Sequence, residues 1–333
     1  MPLAKKRGAR LIMARYIIRR TISAMVTLIL VSSLVFILLR KMPIEGYFHN
    51  FEKLTPSQIN IGLENMGLNS PIHIQLWRFF SNLLKGDLGV SNKYRINFPI
   101  SKLVAIKMPT SLFFGLMAMG LSLLLGIPLG MAMARSATSQ NRIKTIDIAG
   151  SAYITLVQSI PKSIYHLFIQ IYVTELVNKF TRLPFLYSAN NPKTWVLPII
   201  SLSLSGIASY AMWTRRYMVD ESSKDYTLLA RAKGVSPAKI SSRHIMRNAI
   251  VPLVQVMPSS FVGTFMGSLY VESRYSIPGM GGLLVEAIKR QDNTLVQALV
   301  LIYTALSIFA VLAGDIAMAA ADPRIVLSKG GTR

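Results

Sequence analysis

The sequence predicts an all-α membrane protein with six transmembrane helices and both termini in the cytoplasm. Three observations carry this. The 333 residues are 52% hydrophobic and 15% charged, and the apolar residues come in long runs rather than amphipathic stripes. Six runs approach the ~20 residues that a bilayer core demands. The basic residues behind the net charge of +23 flank those runs, as topology signals do, instead of gathering on a surface for nucleic acid.

The first run, Ile12–Leu39, is preceded or entered by Lys5, Lys6, Arg7, Arg10, Arg15, Arg19 and Arg20. Its apolar core begins near Thr21 and ends at Leu39-Arg40-Lys41 with no small-residue cleavage pattern, so it reads as an uncleaved anchor. Its basic lead places the N-terminus inside. The remaining runs are Pro109–Ala134, Ile146–Val177, Trp195–Trp213, Ala249–Val271 and Leu295–Ala320. Alternation then puts the basic loops 135–144 and 215–247 inside, and loops 179–193 and 274–290 outside. The Arg40–Met108 loop also falls outside, although it is too long for its charges to decide the matter. The expected organisation is a cytoplasmic lead and first helix (1–39), an extracytoplasmic loop domain (40–108) and a five-helix core (109–320). That core carries a cytoplasmic hairpin at 214–248, and a cytoplasmic tail follows at 321–333.

Within the external loop, Ser70-Pro71 reads as a helix start, with a capping Ser and Pro at the first helical position. Ile72, Leu76, Phe79, Phe80 and Leu83 recur at helical spacing, and Gly86 supplies a stop. Such a helix serves either as a cover over the ends of the spans or as a docking surface.

Asp225–Pro252 is a polar, basic stretch between apolar runs. Asp225 is placed to cap a short helix through Leu228, Ala230 and Ala232, which Gly234 ends because glycine enters the left-handed region without steric cost. Ser236-Pro237 restarts a helix. Ala230, Ala232 and Gly234 form a small-residue face that another backbone could approach, while Lys233, Arg243, His244 and Arg247 keep the hairpin in water. A solvated loop lying on the lipid surface is the plainer alternative.

In the third run Gln158, Lys162, His166 and Gln170 recur every four residues, with Ser159 beside the first. On one helix this spacing makes a single polar face. An ionisable group at bilayer depth usually faces a bundle interior or a cavity. Snorkelling of Lys162 to a lipid phosphate is the competing account.

Several chemistries are excluded. There is no Cys, and His49, His73, His166 and His244 lack ligand spacing. No phosphate-binding Gly-x-x-x-x-Gly-Lys-Ser/Thr loop, Gly-x-Ser-x-Gly elbow or His-Glu-x-x-His occurs. The chain is expected to be no enzyme, to bind no cofactor or metal, and to take its energy from elsewhere.

The strings ARAKG at Ala230–Gly234 and RHIMRNAIVP at Arg243–Pro252 resemble the coupling motif of binding-protein-dependent ABC importer permeases, and more narrowly the B-type subunits of oligopeptide and dipeptide importers. The resemblance covers nearly the whole chain. It includes GLNSPIHIQ at Gly67–Gln75, KGDLGVS at Lys85–Ser91, MPTSLFFGL at Met108–Leu116 and GIPLG at Gly126–Gly130. SIP at Ser159–Pro161, VESRYSIPGMG at Val271–Gly281 and the ending ADPRI at Ala321–Ile325 complete it. Departures are Leu228 where many ABC permeases carry an acid, MPIEG at Met42–Gly46 for a PGDP-like turn, and Lys162 after SIP.

The resemblance implies a type I importer permease fold in a bacterial inner or plasma membrane. It implies a second homologous permease, two cytoplasmic ABC ATPases that use ATP and Mg, an extracytoplasmic substrate-binding protein and surrounding lipid as partners, with no nucleic acid. It assigns ATPase coupling to Asp225, Tyr226, Ala230, Ala232, Lys233, Gly234, Ser236, His244, Arg247 and Asn248. It assigns extracytoplasmic motifs to Gly86, Asp87, Gly89, Glu272, Pro278, Gly279 and Gly281. Peptides are the expected cargo, with nickel or metal chelates and oligosaccharides as alternatives. A motor-independent secondary transporter would call for inverted repeats and spans broken near the midplane. Neither is visible in the sequence, and a membrane scaffold would leave the Lys/His/Gln face without a role.

Overall fold

The computed structural model describes residues 2–139, 144–179, 184 and 186–321. The expected tail from Asp322 onward lies outside them, as do parts of the loops 135–144 and 179–193. Five helices among the described residues are long and apolar enough to cross a membrane: Ala14–Arg40, Ile100–Ala137, Pro192–Ser222, Pro237–Tyr275 and Asn293–Ala321.

Helix α1 (Pro2–Arg40) carries the first run. Beyond it α2 (Pro56–Asn65) starts at Thr55, whose hydroxyl accepts the Gln58 N–H at 3.3 Å while the Gln58 side chain accepts the Thr55 N–H at 2.9 Å. This capping box satisfies two otherwise orphaned donors. Helix α3 (Ile72–Leu84) is the amphipathic helix expected from the sequence, but Ser70 does not cap it. Pro71 occupies the cap position, and the Ser70 carbonyl instead accepts from Gln75 Nε2 at 2.7 Å. A short antiparallel hairpin follows, β1 (Val90–Ser91) on β2 (Phe98–Pro99), with Val90 opposite Pro99. It turns the chain directly into α4 (Ile100–Ala137), nine residues before the apolar run itself begins at Pro109.

The third run is the main correction. It folds as α5 (Thr145–Ser159), a break, then α6 (Lys162–Phe168), one π-helical turn (Ile169–Val173) and α7 (Thr174–Asn178). The break is local chemistry. Pro161 removes an N–H and disfavours helical backbone at Ile160, which is extended at φ −91°, ψ 129°. The expectation of unbroken spans therefore fails here.

Helix α8 (Val196–Ser222) lies close against α4. A Cβ on Gly126 would stand 2.8 Å from the Ile207 carbonyl, and one on Gly130 would stand 2.5 Å from that of Ala211. The GIPLG string is thus a close-approach helix contact, the usual use of small residues in membranes. After α9 (Asp225–Ala232) come α10 (Pro237–Lys239), a π-helical stretch (Ile240–Ile245) and α11 (Met246–Tyr275). The run from Pro237 to Tyr275 is continuous. The second arm of the hairpin is therefore no separate short helix, because nothing between Pro237 and Asn248 stops it. Finally α12 (Met280–Lys289) folds within the segment 274–290 expected as an external loop, and it precedes α13 (Asn293–Ala321).

The described residues form two compact units. One comprises the chain up to Ile22, Leu112–Ile277 and the chain from Phe309; Phe114, Tyr165, Leu202 and Tyr275 form part of its core. The other comprises Ser23–Ser111 and Pro278–Ile308, with Phe36, Tyr47, Ile100, Met280 and Leu299 buried.

Candidate coupling and translocation sites

Helix α9 begins at Asp225, with Lys224 in the cap position and no side-chain cap, so Asp225 is a first-turn acid rather than the cap. There it opposes the partial positive charge of the helix start. The C-terminal end follows expectation. Gly234 sits at φ +72°, its N–H donates to the Arg231 carbonyl at 2.9 Å, and the Val235 N–H donates to that of Ala230 at 3.1 Å. Ser236 occupies the next cap position with Pro237 at the first helical place, though its hydroxyl makes no cap bond.

The small-residue face divides. Ala230 is buried among Ala134, Met218, Ile240, Ile245 and Ala249 of its own chain, while Ala232 and Gly234 are exposed. The outward apolar surface belongs to Leu228 and Leu229, 52% and 57% exposed. Lys233 and Ser236 are exposed beside the turn.

Tyr226, His244, Arg247 and Asn248 do come together, lining with Arg243 a cleft of about 530 Å³. The Tyr226 hydroxyl donates to Glu221 Oε2 at 2.5 Å. Burial, aided by that carboxylate, pushes the phenol up to about 12, so it stays protonated as the donor.

The break after Ser159 divides the polar stripe. Gln158 is exposed on α5, its amide 3.9 Å from the Met212 sulfur, and Ser159 is exposed beside it. Gln170 is buried and donates to the Arg274 carbonyl at 2.7 Å. Only Lys162 and His166 line the same cleft, of about 170 Å³. Its other polar groups are hydroxyls, from Ser122, Ser205, Ser209, Ser260 and Thr264 among others. His166 is buried with Nδ1 2.6 Å from the Ser201 hydroxyl. Lys162 is exposed and makes no ion pair among the described residues. No carboxylate lines this cleft.

Of the expected extracytoplasmic motifs, Gly86 and Gly89 have positive φ (76° and 81°), and Asp87 Oδ1 accepts the Gly89 N–H at 2.8 Å. Glu272 is buried and accepts from the Ser268 hydroxyl at 2.8 Å. Pro278 and Gly279 lead into α12, with Gly281 in its first turn. The Met280 N–H donates to the Ser111 hydroxyl at 2.7 Å.

Residues 126–327 match the family model "Binding-protein-dependent transport system inner membrane component", and residues 13–97 match the model of the N-terminal region of such membrane components. The chain belongs to this family. The permease is 30% identical over 315 residues to the dipeptide transport system permease protein DppB of Lactococcus lactis subsp. cremoris, covering 95% of this chain and all of that protein. It is 36% identical over 225 residues to the oligopeptide transport system permease protein AmiC of Streptococcus pneumoniae. That match spans 67% of this chain but only 43% of AmiC. A glutathione transport system permease protein, GsiC of Salmonella paratyphi A, is 29% identical over 94% of this chain and 99% of its own. Among solved structures, the inward-facing MetNI methionine ABC transporter matches with a TM-score of 0.51 at 16% identity, over 66% of this chain and 96% of that one. This last likeness shows the fold. The family is one of inner-membrane permease subunits, not enzymes.

The permease also holds a residue that sequence reasoning missed. Asp292 is fully buried at the start of α13, and its Oδ2 accepts from the Ser91 hydroxyl (2.6 Å) and the N–H groups of Asn92, Lys93 and Tyr94 (3.0, 2.9 and 3.0 Å). Its Oδ1 accepts the Leu295 N–H at 3.1 Å. A capping Asp ahead of an apolar run was a visible signal; its distant partners were not. The Thr55–Gln58 box was also readable, from the Thr-x-x-Gln pattern.

Proposed function

We propose that this permease forms half of the translocation pathway of an ATP-driven importer of peptides. A second homologous permease forms the other half. Two cytoplasmic ATPases, which hold the ATP and Mg, seat the α9 turn, and an extracytoplasmic binding protein delivers cargo to the side carrying the 40–108 loop. The domain boundaries expected from the sequence serve this scheme, with 214–248 facing the cytoplasm and no cofactor held by the chain itself.

The observation that carries the reading is the α9 turn, a Gly234-capped helix end that presents Leu228 and Leu229 to solvent. Two exposed leucines beside a fixed turn suit a protein groove. When partner ATPases close, such a helix end transmits their displacement to α8 and the Pro237–Tyr275 helix, and the cavity changes its side of access. The names of DppB, AmiC and GsiC support peptides as the cargo class. A cleft of hydroxyls with one unpaired cation, Lys162, suits a cargo carboxylate, since a charge pair strengthens away from bulk water.

The test is uptake of a labelled oligopeptide into proteoliposomes holding the full complex. Uptake is expected to require ATP and the binding protein, and Lys162→Met is expected to slow carboxylate-bearing peptides several-fold more than their C-terminal amides. Uptake without ATP would overturn the importer reading; equal slowing of acid and amide would overturn the role of Lys162. For topology, Leu84→Cys, at a position 89% exposed, is expected to react with an impermeant thiol reagent from the extracytoplasmic side.

A further inference from the structure

The unit of Ser23–Ser111 and Pro278–Ile308 contains a cavity of about 400 Å³, apart from the Lys162 cleft and the α9 turn. Arg40, Tyr47, Gln75 and Arg78 are among the residues that line it. Three buried polar atoms of these side chains have no hydrogen-bond partner: Arg40 Nε, Tyr47 Oη and Gln75 Oε1. Tyr47 is only 5% exposed. Buried donors and acceptors are costly to leave unmade, so three of them on residues lining one cavity point to a ligand. The Arg40 guanidinium is held over the rings of Phe36 (4.7 Å) and Tyr47 (5.4 Å). Neither Arg40 nor Arg78 has an ion-pair partner among the described residues. Asp87 also lines the cavity, with its Oδ1 already taken by the Gly89 N–H.

We propose that this cavity binds the headgroup and glycerol region of an anionic phospholipid from the leaflet on the loop's side of the membrane. The chemistry fits part by part. A phosphodiester accepts from Arg40 Nε, from Tyr47 Oη and from the forked donors of Arg78. A headgroup hydroxyl donates to Gln75 Oε1. The lining also includes apolar side chains, Met66, Leu68, Phe79 and Leu301, which a free phosphate would not use and an acyl-glycerol would. The level is also right. Arg40 closes the first membrane-crossing helix, and Leu301 lies in the first turns of the last one, so the cavity sits where hydrocarbon meets water, the place of basic and aromatic anchors.

The test uses the full complex purified in mild detergent. Native mass spectrometry is expected to find phosphatidylglycerol retained. Arg78→Gln and Tyr47→Phe, neither of which removes apolar packing, are expected to lower that retention roughly tenfold each, the effect of one charge-assisted contact. Phosphatidylglycerol in mixed micelles is expected to raise the melting temperature of the unaltered complex and not of Arg78→Gln, while phosphatidylcholine raises neither. Equal retention by the variants would overturn the site. Equal protection by inorganic phosphate would replace the lipid with a soluble anion. Protection by neither probe would also sink the proposal.

Discussion

The segment around Asp292 and the turn at Gly234 are built on opposite principles. The first is closed on itself. One buried carboxylate satisfies a hydroxyl and three successive backbone N–H groups from residues 91–94, and it starts α13 as well. The second is anchored from behind by Ala230 in an apolar cluster, but its outer surface shows Leu228, Leu229, Ala232 and Gly234 to solvent. The backbone hydrogen bonds that close it are local, within six residues. A segment that completes its own hydrogen bonding is a scaffold. One that leaves leucines outward suits the ATPase interface proposed above.

That contrast is open to attack by substitution. Asp292→Ala should have the largest effect, since it removes the acceptor from five buried or half-buried donors at once. A loss on the order of 4 kcal/mol is expected, seen as a lowered melting temperature and rapid proteolysis within the 40–99 loop. Asp292→Asn, which keeps an acceptor, should lose less. If the alanine variant melts normally, the closed character assigned to this segment is wrong.

Leu228→Ala with Leu229→Ala should leave the isolated permease's melting unchanged and weaken its hold on ATPase subunits by about 2 kcal/mol, roughly thirtyfold. Pull-down of the ATPase at graded salt reads this directly, and undiminished binding would show that the leucines face lipid instead. Gly234→Val forces a branched residue into the left-handed region, at about 1–2 kcal/mol. Membrane levels should hold while uptake falls several-fold and ATP hydrolysis loses its dependence on cargo. Gly234→Asn should recover much of the activity, because Asn tolerates that backbone. The smallest effect belongs to Thr55→Ala, which breaks one capping box at about 1 kcal/mol. Faster amide exchange confined to the first turn of α2, with normal transport, is the expected result.

The glycine stop and the ends of the apolar runs were legible in the sequence, while the caps at Ser70 and Asp225 and all distant partners were not. Gly234 could be read because a helix stop needs only its own φ. The ends of the apolar runs were readable to within a few residues at Arg40 and Asn293, where polar residues mark them. The π-helical stretch Ile240–Ile245 left no comparable mark, and with no stop residue after Pro237 the chain continued into one long helix. Run length hid the break at Ile160, although Pro161 announced it, because the hydrophobicity on either side is uninterrupted. The Lys162 face followed from assuming one helix and lost Gln158 and Gln170 when that assumption failed. Asp292 lay beyond reach for another reason: nothing near it in sequence says that residues 91–94 will come to it.

That separation has a consequence in time. Ser91 and Asp292 stand 201 residues apart. At a synthesis rate of about 5–20 residues per second, roughly 10–40 s pass between the emergence of the first and the second. Through that interval the N–H groups of residues 92–94 have no carboxylate to meet, and the loop must wait in an unfinished state while three further helices long enough to span the bilayer are made. Its folding is therefore a late event in the birth of the protein. A chain truncated before residue 292 would insert its early helices and still expose this loop to every protease on that side of the membrane.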